Sequence, residues 1–182
     1  MTDVTSLLQI PDSVVGLVIC IYANPERDNY DLAVFHKYKL ATLSINLPSF
    51  PDNPIEEVMA VIIDRLTHNS ATADLDVCLF GADIEVGPAL SAIHSPNVKA
   101  IALRGRYTKP DTEPTLIPHV PVLLVAAGRN KERAQAYQEV LKRMDAESRL
   151  HVIPRASTAF TEPGVMEESA QLAALWFLEK IE

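Results

Sequence analysis

The sequence predicts an α/β protein built on a six-stranded, mostly parallel sheet with helices on both faces. Short apolar runs rich in Val, Ile and Leu recur along the chain without the alternation of a half-exposed sheet, which is the pattern of strands buried on both faces. Segments with apolar residues at helical spacing separate them, and strict alternation of strand and helix makes the strands parallel. A chain of 182 residues buries roughly 70% of the surface it exposes when unfolded, so residues 1–182 are expected to form one domain around one core.

The first strand is SVVGLVICIYA, residues 13–23, closed by the turn signal Asn24-Pro25. Residues 28–39 follow as a helix, with Leu32, Phe35 and Tyr38 or Lys39 at helical spacing, and LATLSINL, residues 40–47, completes a βαβ unit. Pro48, Pro51 and Pro54 hold the next stretch extended, and Pro54 is placed to begin a helix. In that helix Ile55, Val58, Met59, Ile62, Ile63 and Leu66 share one broad face.

The stretch LDVCLFGADIEVGPAL, residues 75–90, is expected at the centre of the sheet: a strand over 75–80, a glycine break at Gly81, then a helix-like segment. This predicts Asp83 at the apex of a tight strand-to-helix turn, at the carboxyl edge where open α/β sheets hold their chemistry. The same frame in a hydrolase reads G-x-S-x-G; here it reads Gly81-Ala82-Asp83-Ile84-Glu85. Read without that frame, the stretch is an ordinary turn with a solvated carboxylate, and Glu85 is an acid in the first turn of a helix, where negative charge is favoured.

Residues 98–103 form the next strand and deliver Arg104-Gly105-Arg106 to its end. The proline-laden connection that follows is too short and rigid to be a lid. VPVLLVAAGRN, residues 120–130, is a strand ending in small residues, and residues 131–144 form a helix with Ala134, Tyr137, Leu141 and Met144 on one face. The last strand is residues 149–153, and Met166, Ala170, Ala173, Phe177 and Ile181 stripe the closing helix.

The formal net charge of −8 argues against nucleic acid and anionic membrane surfaces as partners, because both reward a basic patch. The first ten residues lack the charged start of a secretory signal, and the longest apolar run is far below the roughly 20 residues of a membrane span, so a cytoplasmic location is expected. Cys20 and Cys78 each lie in an apolar run and are expected as free, buried thiols. The five histidines, His36, His68, His94, His119 and His151, show no metal-ligand spacing, and no glycine-rich loop cradles a phosphate. The residues imply neither a metal nor a cofactor.

From residue 14 to residue 181 the chain resembles a small lidless α/β-hydrolase of the dienelactone hydrolase kind. The elbow frame, Arg104-Gly105-Arg106, VPVLLVAAGRN and the closing ASTAFTEPGVMEESAQLAALWFLEKI carry the resemblance by their order and spacing. It implies a three-layer α/β-hydrolase-like sandwich without a lid. It also implies a serine at the elbow, an aspartate after the glycine-ended strand and a histidine after the last strand. This sequence has Asp83, Asn130 and Thr158 there, and Tyr22-Ala23 where such hydrolases tend to have His-Gly. A serine hydrolase needs a base in reach of its nucleophile and an acid to orient that base, and threonine does not exchange a proton near neutral pH.

Two readings follow. In the first, the chain is a catalytically silent hydrolase-fold protein that binds a small molecule or a protein partner in a cleft lined by Tyr22, Ala23, Asp83, Ile84 and Arg104. In the second, Asp83 is a carboxylate nucleophile toward an ester, a carbon–halogen bond or an epoxide. A half-shielded carboxylate calls for compensation, and Arg104 is the best-placed cation, with Arg106, Arg129 and Arg155 arriving at the same edge; the other arrangement leaves Asp83 in solvent and these arginines on other acids.

Overall fold

The computed structural model describes residues 8–22, 28–46, 55–85, 97–106 and 119–181. Seven strands form one sheet: β1 (Leu8–Gln9), β2 (Gly16–Tyr22), β3 (Leu40–Asn46), β4 (Val77–Glu85), β5 (Val98–Arg106), β6 (Val122–Ala127) and β7 (Ser148–Ile153). Their order is β1-β3-β2-β4-β5-β6-β7, so the strand carrying Gly81 and Asp83 is the central one. All pairs are parallel except β1 with β3. The seventh strand is a correction to the expected six. A two-residue edge strand has no periodicity to read, and only its pairing of Leu8 with Leu43 and Gln9 with Thr42 defines it.

Four described helices cover the sheet: α1 (Asp28–Lys37), α2 (Ile55–His68), α3 (Lys131–Leu141) and α4 (Val165–Leu178). The helix expected after the elbow lies outside the described residues, as does the connection over 107–118 that was expected to lack a lid. Helix α1 stops at Lys37, two residues short of its expected end, because Lys39 takes a left-handed backbone with φ 60° and turns the chain into β3.

Residues alternate between the two faces of the sheet. Leu17, Ile19, Ile21, Leu79, Ile101, Leu103 and Leu124 meet Met59, Ile62, Ile63 and Leu66 of α2 and Tyr137 of α3. On the opposite face Val18, Cys20, Tyr22, Phe80, Ala102 and Val125 meet Leu32 and Phe35 of α1 and Ala173, Trp176 and Phe177 of α4. Both sides of the central strands are thus buried, which explains their unbroken apolar runs. Trp176 locks α4 down by donating its indole N–H to the Ile101 carbonyl at 3.1 Å. Arg149 and Lys180 lie over the same ring at 4.8 and 4.6 Å. None of the described helices is long and apolar enough to cross a membrane.

Candidate functional site

The parallel strands bring their carboxyl ends to one edge of the sheet, and β4 departs there from expectation. Gly81 is no turn: it lies inside β4, in register with Ile21 on one side and Leu103 on the other. Both partner strands pair past the glycine to Ala82, and β5 alone carries the ladder on to Glu85. Ala82 pairs with Arg104 and Glu85 with Arg106, so β4 takes three steps while β5 takes two. The extra residue falls in the Asp83-Ile84 stretch, and an irregularity of this kind re-aims side chains at a strand end. The side chains of Asp83 and Ile84, and the whole of Ala23, lie outside the described residues.

Farther along the edge, the ends of β6 and β7 are stitched together. Gly128 donates its N–H to Ile153 O at 2.9 Å and Arg129 to Ala156 O at 3.1 Å. A Cβ on Gly128 would stand 2.5 Å from Pro154 Cα and 2.7 Å from Ile153 O, so only glycine permits this approach. Asn130 follows, half-buried, and its carbonyl accepts the Ala134 N–H at 3.1 Å to open α3. The loop after β7 presents Thr158 exposed to solvent. Glu162 ties down the near side of that loop, its Oε1 accepting Ser157 N–H at 2.9 Å and Arg129 Nη1 at 3.0 Å. The Ser157 N–H bond leads the effects that hold the Glu162 carboxyl below the usual range.

The cation expected to compensate Asp83 has another partner. Arg104 is 1% exposed, and its Nη1 and Nη2 each donate at 2.8 Å to Asp31, one to Oδ1 and one to Oδ2. Nη1 also donates at 2.8 Å to Ser169 Oγ, whose own hydroxyl donates to Met166 O at 2.7 Å. The guanidinium faces the Phe80 ring at 5.5 Å and the Phe160 ring at 5.7 Å. A two-pronged pair of this kind satisfies both buried charges at once, and it draws α1, β5 and α4 to one point beneath the end of β4. Arg129 and Arg155 are taken by Glu162 and by Glu168, the latter at 2.6 Å. A pairing of Asp83 with Arg104 or Arg106 involves side chains outside the described residues.

Tyr22, expected to line a cleft, is 1% exposed and packs edge-on to Phe80 with centroids 6.4 Å apart. Its hydroxyl forms no hydrogen bond among the described residues, and the neighbouring Cys20 thiol is a weak partner. Burial first, then the proximity of Cys20 and Asp31, drives its pKa far up, so the phenol stays protonated. Cys20 and Cys78 are buried free thiols, and burial raises the Cys78 pKa, which disfavours the reactive thiolate. His36 is half-buried rather than solvated: its Nε2 lies 2.8 Å from Thr42 Oγ1, and burial lowers its pKa. Among the described residues no group of three or more His, Cys, Asp and Glu side chains could hold a metal ion.

Asp31 and Ser169 were not singled out in the sequence, although each carried a signal. Asp31 stands four residues before the core residue Phe35, and Ser169 four before Ala173, so each polar side chain lies on the apolar stripe of its helix. A buried acid and a buried hydroxyl call for a donor, and Arg104 on the intervening strand supplies it.

No family model matches the chain. A dienelactone hydrolase of Anabaena variabilis superimposes with a TM-score of 0.80 and is 31% identical, the match covering 96% of this chain and 91% of that one. The esterase domain of a Rhodothermus marinus protein shares the fold at 11% identity, with a TM-score of 0.73 over 96% of this chain and 92% of that one. A Mycobacterium tuberculosis protein, named provisionally as a phosphoribosyl transferase, is 29% identical over 191 residues. That match takes in 96% of this chain and 43% of the relative, so the chain spans less than half the length of the curated protein it matches. With an α/β sandwich of the same topology and 31% identity over nearly the full length of both chains, this chain belongs to the dienelactone hydrolase family of α/β-hydrolases.

Proposed function

We propose that this family member binds a ligand, a small molecule or a protein segment, at the carboxyl edge of its sheet without the family's serine chemistry. The observation that carries this reading is Thr158, which stands exposed on the loop after β7, the place from which the family's histidine would act. Without a base there, a hydroxyl or a water at the elbow is not activated. Asn130, at the acid position, can orient a neighbour by hydrogen bonding but has no imidazole to orient. The transferase name of the mycobacterial relative is not carried over, because more than half of that protein lies outside the match and this chain has no glycine-rich phosphate loop.

A second reading is kept because Asp83 lies in the irregular last stretch of the central strand, where a family nucleophile would be. In it, a carboxylate oxygen of Asp83 attacks carbon. On an ester carbonyl it expels the alkoxide and leaves a mixed anhydride; on a haloalkyl carbon it expels halide, and on an epoxide carbon it opens the ring, whose oxygen stays on the product and takes a proton from water. Each of these last two leaves an ester on Asp83. Water must then cleave that ester, and without a histidine at residue 158 the enzyme stalls after one turnover. Intact-mass measurement after incubation with haloacids, epoxides and activated esters decides between the two. The silent reading expects an unchanged mass; a stable adduct mapped to Asp83 would replace it with the nucleophile reading.

A further inference from the structure

We propose that Arg104 is the positioning residue for the loop that carries Thr158: its guanidinium holds Phe160, and through Phe160 fixes where Thr158 stands at the carboxyl edge of the sheet. Phe160 has φ 52°, an unfavourable backbone for a bulky residue. Such a conformation persists only where the surroundings over-determine it. The Phe160 N–H closes the turn onto Ser157 O at 3.0 Å, and the ring, 2% exposed within the apolar cluster of that face, has the Arg104 guanidinium over it. The bonds of Glu162 draw the loop to Ser157 and to Arg129 at the end of β6, and the Phe160 ring adds a tie to β5 through Arg104. Arg104 can serve as that anchor because it cannot swing: Asp31 fixes both prongs, Ser169 adds a third bond, and Phe80 of the central strand lies against it. Arg104 is in register with Ala82, the residue before Asp83. One guanidinium therefore sets the loop against the strand end. The inference leans on the ligand reading only for its consequence, which is that the edge is held preformed.

The test uses the protein with a single added cysteine, Thr158→Cys, carrying a nitroxide. Both natural cysteines are buried, so labelling under native conditions goes to residue 158. A control label sits at Glu57→Cys, exposed on α2. Phe160→Leu, and separately the charge-free pair Asp31→Leu with Arg104→Met, are expected to sharpen the spectrum at residue 158 and to raise exchange of the residue-160 amide by about tenfold, with the label at residue 57 unmoved. Phe160→Tyr, which keeps the ring, is expected to restore the wild-type spectrum. An unchanged residue 158 in folded Phe160→Leu, or mobility rising equally at residue 57, would overturn the assignment. Should Phe160→Leu not fold, the same two outcomes in the Asp31→Leu, Arg104→Met pair decide it. No ligand enters the assay, so its result stands or falls apart from the proposed binding.

Discussion

Among the described residues the buried Tyr22 hydroxyl has only the weak Cys20 thiol beside it, and the consequence is measurable. A buried polar group left unpaired costs about 1–3 kcal/mol, and the thiol of Cys20 recovers little of that. Tyr22→Phe keeps the ring against Phe80 and is expected to leave stability unchanged or raise it by about 1–2 kcal/mol, read as a higher urea midpoint at constant slope. A loss of more than about 1 kcal/mol would mean that the hydroxyl has a partner after all. His36 makes a second residue-scale prediction. Burial depresses its folded pKa below the ordinary value, about 6.5, so the unfolded chain takes up the proton first as pH falls. The stability tied to neutral His36 is therefore complete above about pH 6.5 and lost as pH falls through the folded value. His36→Gln should flatten the stability profile over that acid window, and an identical slope in the variant would count against it.

At the scale of elements, the Asp31–Arg104–Ser169 cluster binds α1, β5 and α4 more specifically than apolar contact does. Removing one partner leaves an uncompensated buried charge, and Arg104→Met is expected to cost about 3–5 kcal/mol. Replacing both charges with apolar groups of similar volume is often neutral or stabilising. The pair Asp31→Leu with Arg104→Met is therefore expected to recover most of that loss in urea melts. If the double variant is as unstable as Arg104→Met alone, the cost does not come from the stranded carboxylate. The long β4 strand is the other element-scale result. It read as a strand broken at Gly81, since a glycine is the small residue that a tight strand-to-helix turn needs. Pairing on both sides outweighs that local preference, because a strand flanked by β2 and β5 satisfies its backbone groups in the ladder.

For the whole molecule, family membership is a statement about fold, and the chemistry is a separate question. The sheet and its helix layers match a dienelactone hydrolase over nearly its whole length, yet fold does not dictate reaction. Under the proposed function, hydrolysis of nitrophenyl esters runs at the buffer rate, and Asp83→Ser alone does not raise it, because an unactivated serine is a poor nucleophile. An esterase signal above background that disappears in Asp83→Ala would refute the silent reading.

The sequence by itself determined the layered α/β architecture and the central place of the strand that carries Gly81. Both follow from local patterns: buried parallel strands are continuously apolar, and strict alternation of strand and helix makes a parallel sheet with helices on both faces. Only the tertiary structure decided what Arg104 does. Its partners come from α1 and α4, 73 residues upstream and 65 downstream, and no window of sequence weighs an acid in one helix against a hydroxyl in another. The same holds for Tyr22, whose isolation depends on what fills the space around its hydroxyl, and for Gly128, whose necessity comes from Pro154 lying 2.5 Å from where a Cβ would be. Periodicity reports which face of an element is buried; which polar group meets which across that face is settled by packing, where an unpaired charge costs more than any local propensity can repay.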